Sequence, residues 1–504
     1  MNRRPRICVG PRVDERPEST DWSAVSVASP LAPGWLVPPA DANALAAHVW
    51  PAAARRRDDG QLELGGVAVR DLVAQYGTPV LVLDEGEVRD RARRTREAFQ
   101  DAAARHGTQA RVYYAGKAFL STEVARWVTE EGLRVDVCTR GELEVALAAG
   151  VPADHLGFHG NNKSVSELER AVEVGIGSIV IDSVWELDRL AAIVARIGRD
   201  GAAVEQDVLL RVNTGVHAET HHFLATSHED QKFGFGLEAA PDLVARVRAT
   251  PGLNLVGLHC HIGSQIFGTD GFRASAARLL GVLADLPGGP LPVLNLGGGF
   301  GIAYTSADEP TPIAELAEGI VSVVASEAQL LGIPVPFLAF EPGRSVVGTA
   351  GVTLYEVGTT KDVSVETSDG AGSGVAATRR YVSVDGGMSD NPRPALYDAQ
   401  FSARIADRTS TAAPALVRVV GKHCESGDIV VDAEYLPADV APGDLLAVPA
   451  TGAYCYALAS NYNHVPRPPI VAVRDGVSRV IVRGETIDDL LARDAGLAGR
   501  RGDR

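Results

Sequence analysis

Four groups of residues could do chemistry here, and each follows an apolar, strand-like run. Lys117 comes two residues after Arg111–Ala115 (RVYYA). A lone lysine is ordinarily a solvated surface group. Beside an apolar strand end it can instead be desolvated, which lowers its pKa and turns the amine into a Schiff-base nucleophile. Asn295–Gly301 (NLGGGFG) follows another run. Its glycines let backbone approach a ligand and their N–H groups can cradle a phosphate, although a plain strand–helix turn would use them too. His261 and Ser264, in HIGSQ, set a ring and a hydroxyl three residues apart, where a satisfied core histidine is the plainer reading. Glu341, Gly343 and Arg344, in EPGR, put a carboxylate beside a guanidinium, which at a surface turn would be only an ion pair.

Singly each signal is weak. Together they supply what a pyridoxal phosphate (PLP) site requires: an amine for the aldehyde, and glycine amides, a hydroxyl and an arginine for the phosphate. A carboxylate for the pyridine nitrogen and a flat ring to cover the cofactor complete the set.

The elements that must position these groups alternate in type. Strand-like runs occur at 111–115, 135–138, 156–159, 178–182, 207–213, 255–261, 293–296 and 337–341, most of them separated by helical stretches such as 87–105, 121–131, 164–174 and 183–197. Eight such strands predict a (β/α)8 TIM-type barrel, whose reactive groups stand at the C-terminal ends of the strands. A doubly wound open sheet suits the count nearly as well, but no GxGxxG follows the first strand. After Arg344 the texture changes to short β-type runs between Gly, Pro and Asp turns, at 352–357, 381–384, 416–420, 429–431, 445–449 and 470–473. These predict a C-terminal all-β domain of sandwich or barrel type. Thr367–Thr378, with DGAGSG inside it, reads as a surface loop, and residues 1–40 as a poorly ordered extension.

The chain has 504 residues, 45% hydrophobic and 22% charged, with a formal net charge of -16. That is ordinary composition for two domains with real cores. An acidic surface makes nucleic acid and membrane poor partners. Five scattered cysteines without a CxxC pair suggest neither disulfides nor a metal site. With no signal-peptide core and no bilayer-length apolar run, the sequence reads as cytoplasmic.

The ordered blocks YYAGKA (113–118), DVCTRGEL (136–143), HEDQKFGFG (228–236), HCHIGSQ (259–265), NLGGGFG (295–301), FEPGR (340–344), DGGMSDNPRPALY (385–397), CESGD (424–428) and TGAYCYALASNYN (451–463) carry a further resemblance. From about Gly77 to about Pro469 the sequence resembles the fold-type III PLP-dependent decarboxylases. CESGD, SDNPRPALY and GAY…NYN resemble the members that act on meso-diaminopimelate, the last step of lysine biosynthesis, rather than those acting on ornithine or arginine.

The resemblance implies roles. Lys117 would hold PLP, Glu341 would face the pyridine nitrogen and His261 would stack on the ring. Ser264, Gly298, Gly299, Gly343, Arg344 and Tyr454 would hold the phosphate, with Asp136 near the lysine. Arg344, Arg393, Tyr397 and Tyr454 would meet the substrate, and Glu425 its distal ammonium. Cys424 would donate a proton after CO2 leaves. Cys424 and Glu425 would come from a partner subunit, implying a homodimer with shared sites. The resemblance also puts strands from 41–84 in the β-domain, ahead of a barrel over 85–345, a β-domain over 346–490 and a tail over 491–504. A sister decarboxylase for ornithine, arginine or carboxynorspermidine competes, as does an inactive regulatory relative. The paired arginines argue against the first, since a substrate with one carboxylate would leave a cation unpaired. The second usually lacks the lysine, glycines or cysteine that are all present here.

Overall fold

The computed structural model describes residues 29–199, 204–216, 232–368 and 374–497. Eight parallel strands form its centre: β1 (Ala110–Ala115), β2 (Arg134–Val137), β3 (Leu156–Phe158), β4 (Ser178–Ile181), β5 (Gln206–Asn213), β6 (Leu253–His259), β7 (Val293–Asn295) and β8 (Phe337–Phe340). Each pairs with the next, and β8 pairs with β1 through Leu338 opposite Ala110. That last pairing closes the barrel and excludes the open sheet. The strands are near-continuous apolar runs such as SIVI of β4, as expected of parallel strands covered on both faces.

Local chemistry sets the crossovers. Asp84 caps the first long helix, Glu85–Arg105, by accepting from the Glu87 N–H. Phe99 of that helix stacks on Phe340 of β8, with centroids 3.8 Å apart. Ser164 and Glu167 form a reciprocal capping box at the helix after β3.

Most of the remaining strands build a second sheet on the 18-residue strand Gly351–Ser368, which pairs with Gly374–Val384, Leu445–Pro449 and Val80–Asp84. Arg55–Arg56, Leu62–Leu64 and Val67–Ala68 instead form a small sheet of their own, so of the strands expected over 41–84 only Val80–Asp84 joins the β-domain sheet. Val80–Asp84 also pairs in parallel with Ile470–Arg474. The chain therefore contributes a strand to this sheet before it enters the barrel. Glu85, at the crossing, is bridged by Arg474 and Arg479.

The loop expected over 367–378 is instead the end of a β-hairpin, with Ser368 opposite Gly374; only 369–373 fall outside the described residues. Alternation through Val363 and Val365 continues the strand past the point where the Gly/Ser cluster suggested a stop. Of the expected extension, 1–28 lie outside the described residues, as do 498–504 of the tail. Leu36 is buried against Ala433 and Tyr435.

Candidate active site

Lys117 sits in a short 3-10 turn, Gly116–Ala118, directly beyond β1. The turn is pinned from three sides. The Tyr114 hydroxyl donates to the Phe119 carbonyl at 2.5 Å, and the Tyr454 N–H donates to the Ala118 carbonyl at 2.8 Å. A Cβ on Gly116 would lie 2.8 Å from the Asp136 carbonyl. Lys117 itself is exposed while its neighbours Gly116 and Ala118 are buried, and its charge acts on Asp136 and His261 at the same end of the barrel.

Glu341, beyond β8, is buried and held by its neighbours. Asn295 Nδ2 donates to its Oε1 at 2.7 Å, and His259 Nε2 donates to its Oε2 at 3.2 Å. His159 Nε2 stands 3.4 Å from Oε1 and 3.2 Å from Asp136 Oδ1. Burial alone would raise the Glu341 carboxyl, but the fields of His159 and His259 and the His259 hydrogen bond hold it below the usual range. Burial pushes both histidines down to about 4. The cluster therefore contains one carboxylate anion wrapped by neutral N–H donors. Asp136 goes the other way: burial, then the Glu341 charge, push its carboxyl well above the usual range, with Lys117 opposing. These three residues, His159, His259 and Glu341, offer donor atoms within 4.8 Å of one another, as a metal site would. The His259–Glu341 hydrogen bond, the His159–Glu341 contact and the edge-on packing of the two imidazoles already account for that spacing.

The glycine turn is shaped by crowding as much as by any ligand. A Cβ on Gly298 would lie 2.0 Å from the Glu341 carbonyl, and one on Gly299, at φ +100°, 2.4 Å from the Gly263 carbonyl. No side chain fits where the turns after β6, β7 and β8 meet backbone to backbone. The Gly298 N–H points at His261 Nδ1, at 3.3 Å. Burial and the Lys117 charge keep His261 neutral, well below its ordinary value, so Nδ1 can accept.

At the other end of this space, Arg344 Nη2 donates to Ser264 Oγ at 2.7 Å and Nη1 donates to the Tyr304 hydroxyl. Its guanidinium lies 4.7 Å from the Tyr454 ring centroid. Gly343 packs against Ala115 and Ala118, with its Cβ position 3.0 Å from the Ala115 carbonyl. Arg393 begins the short helix Arg393–Tyr397. It is buried over the rings of Tyr304 and Phe401, and its Nη1 is buried without a hydrogen-bond partner.

Lys117, Asp136, His261, Ser264, Gly298, Gly299, Glu341, Gly343 and Arg344 thus all lie at or just beyond the C-terminal ends of the barrel strands, with Tyr454 joined to the Lys117 turn. Tyr397, Cys424 and Glu425 are not drawn in. All three are exposed on the β-domain. Among the described residues no hydrogen bond or ion pair ties Cys424 or Glu425 to the barrel; the Cys424 N–H donates to Asn463 Oδ1 at 3.0 Å. Of the HEDQKFGFG block, 228–231 lie outside the described residues. Its Gly234 N–H donates to Asp182 at 2.9 Å.

His159, His259, Asn295 and Tyr304 had no role in the sequence reading. Three of them stand at ends of β3, β6 and β7, a position that could have flagged them. Tyr304 had no such signal. Lys163, also unassigned, is buried, and its Nζ donates to Glu186 (2.7 Å), the Gly160 carbonyl (2.8 Å) and the Val180 carbonyl (2.7 Å).

The donor set fits PLP. A buried anion supported only by neutral donors suits a ring nitrogen that must carry a proton, and Ser264 with Arg344 suits a phosphate. The Gly298–Gly299 turn admits no side chain.

Residues 85–348 match the family described as the pyridoxal binding domain of pyridoxal-dependent decarboxylases. The chain is 51% identical over 457 residues to the diaminopimelate decarboxylase of Mycobacterium tuberculosis (strain H37Rv), spanning 89% of this chain and 98% of that one. It is 44% identical to the diaminopimelate decarboxylase of Bacillus subtilis (strain 168), over 87% of this chain and 96% of that one. The solved diaminopimelate decarboxylase of M. jannaschii in complex with L-lysine superposes with a TM-score of 0.79 at 29% identity, covering 88% of this chain and 98% of that one.

Proposed function

Since this chain belongs to the pyridoxal-dependent decarboxylases, and within them to the diaminopimelate decarboxylases, we propose that it converts meso-diaminopimelate to L-lysine and CO2. The observation that carries the reading is the gathering of Lys117, Glu341, the glycine turn and the Ser264–Arg344 pair around one barrel mouth. Bound PLP supplies an aldehyde for the substrate amine and a protonated ring that takes up the electron pair left by CO2.

The residues divide the remaining work. Lys117 would hold the cofactor through its amine. Glu341 stays ionised and favours a proton on the ring nitrogen facing it. His261 covers the ring. Ser264, Gly298, Gly299, Gly343, Arg344 and Tyr454 bind phosphate, and Asp136, its carboxyl pushed up by burial and the Glu341 charge, backs the cluster behind Glu341. Both terminal nitrogens of Arg344 are already directed at Ser264 and Tyr304, whereas Arg393 keeps a buried N–H without a partner. Of the two arginines, Arg393 is therefore the open receptor for the carboxylate that the substrate retains; Tyr397, four residues on in the same short helix and exposed, would add its hydroxyl to the substrate. A substrate lacking that carboxylate would leave the Arg393 charge buried and unpaired, which argues against ornithine and other monocarboxylate diamines.

Cys424 Sγ delivers the proton to the carbon that lost CO2, and Glu425 pairs with the distal ammonium. Both are exposed on this chain, which supports their serving a partner's site in a homodimer. Mixing Lys117→Ala and Cys424→Ala subunits tests this: random reassortment would restore about a quarter of parental activity through heterodimers with one intact site, and no restoration would refute sharing. A division into N-terminal strands, barrel and β-domain near residues 84 and 345 belongs to the same proposal, as does a cytoplasmic location. No helix among the described residues is long and apolar enough to cross a membrane.

The test is CO2 and lysine release by the purified protein, with and without added PLP, from meso-diaminopimelate, ornithine, arginine and carboxynorspermidine. PLP-dependent lysine formation from the first alone is expected. Activity only on another amine would overturn the substrate, and silence on all four with PLP bound would overturn the activity.

A further inference from the structure

We propose that Tyr304 is a specificity-determining positioning residue, a shared aromatic platform that sets Arg393 relative to Arg344 and so lets the site select substrates with a second carboxylate. This rests on the reading of Arg393 as the carboxylate receptor. Arg344 and Arg393 are 9% and 7% exposed, and among the described residues neither makes an ion pair. Two buried guanidinium groups without acidic partners need another source of stabilisation until anions arrive. The structure supplies it as rings. The Arg393 guanidinium lies 4.5 Å from the Tyr304 ring centroid and 5.5 Å from that of Phe401. The Arg344 guanidinium lies 5.7 Å from the Tyr304 centroid and 4.7 Å from that of Tyr454. Both cations thus share one ring, and cation–π attraction strengthens when the partners are desolvated. Tyr304 also takes the Arg344 Nη1 hydrogen bond on its hydroxyl.

The platform spans the two parts of the molecule. Tyr304 follows the glycine turn of the barrel but is buried in the β-domain core with Tyr355 and Phe401. Its ring meets Phe401 edge-on, with centroids 5.1 Å apart at 74°. Arg344 comes from the end of β8, whereas Arg393, Phe401 and Tyr454 come from the C-terminal part of the chain. Tyr304 is therefore the side chain through which the phosphate end of the site, at Ser264–Arg344, fixes the distance to the carboxylate receptor.

The experiment compares L-lysine, which keeps the distal carboxylate, with cadaverine, which has none, by the change each produces in the cofactor absorbance of the holoenzyme. The ratio of their dissociation constants reads the carboxylate contact without turnover. Tyr304→Leu is expected to reduce the preference for lysine at least tenfold, roughly the loss of a desolvated cation–π contact. Tyr304→Phe keeps the ring, so its preference should stay within about twofold of the parent while PLP binds several-fold more weakly through the lost hydroxyl. If Tyr304→Leu does not retain PLP, Phe401→Leu removes the other ring over Arg393 and is expected to lower the preference about threefold. Parental preference in the PLP-retaining leucine variant would overturn the proposal. Arg393→Met separates the two readings. If it keeps the preference, the carboxylate receptor is wrong; if it loses the preference while Tyr304→Leu keeps it, only the role of Tyr304 falls.

Discussion

Replacing Lys163 by methionine is expected to destabilise the barrel more than any exposed substitution, for reasons that can be counted. The Lys163 and Glu186 side chains are 1% and 3% exposed. The ammonium makes three hydrogen bonds, to Glu186 and to the carbonyls of Gly160 and Val180. Methionine matches the length and apolar stem but leaves a carboxylate and two carbonyls buried without their donor. Removing one partner of a buried pair costs roughly 3–5 kcal/mol, which in a domain of this size moves the melting temperature on the order of 10 °C. The damage should also spread. Glu186 Oε2 accepts from the Asp182 N–H, and Asp182 Oδ1 accepts from the Gly234 N–H, so the pair ties together loops after β3, β4 and β5. Urea unfolding of the parent, Lys163→Met, Glu186→Leu and the double variant gives the coupling. The double variant should be no less stable than Lys163→Met, because the stranded carboxylate is gone. A single variant within about 0.5 kcal/mol of the parent, or a double variant showing the plain sum of the singles, would refute the account of a desolvated pair.

Lys117→Ala should abolish both the absorbance of lysine-bound PLP and nearly all turnover; parental activity would refute its role. Gly298→Ala should weaken PLP binding at least tenfold and lower stability by roughly 3 kcal/mol or more, because the methyl would fall 2.0 Å from the Glu341 carbonyl. Gly281→Ala, in the middle of the helix Asp270–Asp285 with nothing within 4 Å of its Cβ position, should instead stabilise by about 0.5–1 kcal/mol; equal effects from the two would discredit the crowding argument. Asp390 supplies a pH test. Burial pushes its carboxyl up to about 7 from 3.8, against hydrogen bonds from Tyr355 and the Gly387 N–H. Between those values the folded chain keeps a proton that the unfolded chain has released, so this group's contribution to stability falls as pH rises from about 4 to 7 and is flat above. Asp390→Asn removes that slope and should gain roughly 2–3 kcal/mol on the parent between about pH 5 and pH 8. Identical pH dependence in urea titrations would show that Asp390 does not titrate in this way.

The fold was legible to the extent that periodicity could express it. β4, with Ile179, Val180 and Ile181 all buried, and its seven companions are short apolar runs bounded by turn residues, and burial on both faces gives that pattern. Closure was less legible, because the pairing of Leu338 with Ala110 joins strands separated by the length of the barrel. The hairpin beyond Val363 reads as a loop in the sequence because its strands continue through polar residues, where the Gly/Ser cluster is the stronger local signal. A single strand such as Val80–Asp84 carries no mark of which sheet will take it. Only a resemblance placed it in the β-domain.

At the site, legibility followed reactivity. Lys117, Glu341 and the glycines stand out because few residue types can do their chemistry. His159, His259 and Asn295 act on Glu341 and not on a substrate, and any of them could have been an ordinary core residue. Their effect is nonetheless what makes the carboxylate useful. Burial pushes both carboxyls up, and only at Glu341 is that push overcome; Asp136, which shares the same His159 nitrogen, stays raised. One histidine therefore faces two carboxyl groups that the protein drives in opposite directions, and the difference lies in the donors. Glu341 gains the amide of Asn295 and the imidazole of His259, while Asp136 Oδ2 is buried with no partner. A site that needs one firm negative charge facing a cofactor ring nitrogen is served by this asymmetry, because burial and the Glu341 charge oppose a second ionisation at Asp136.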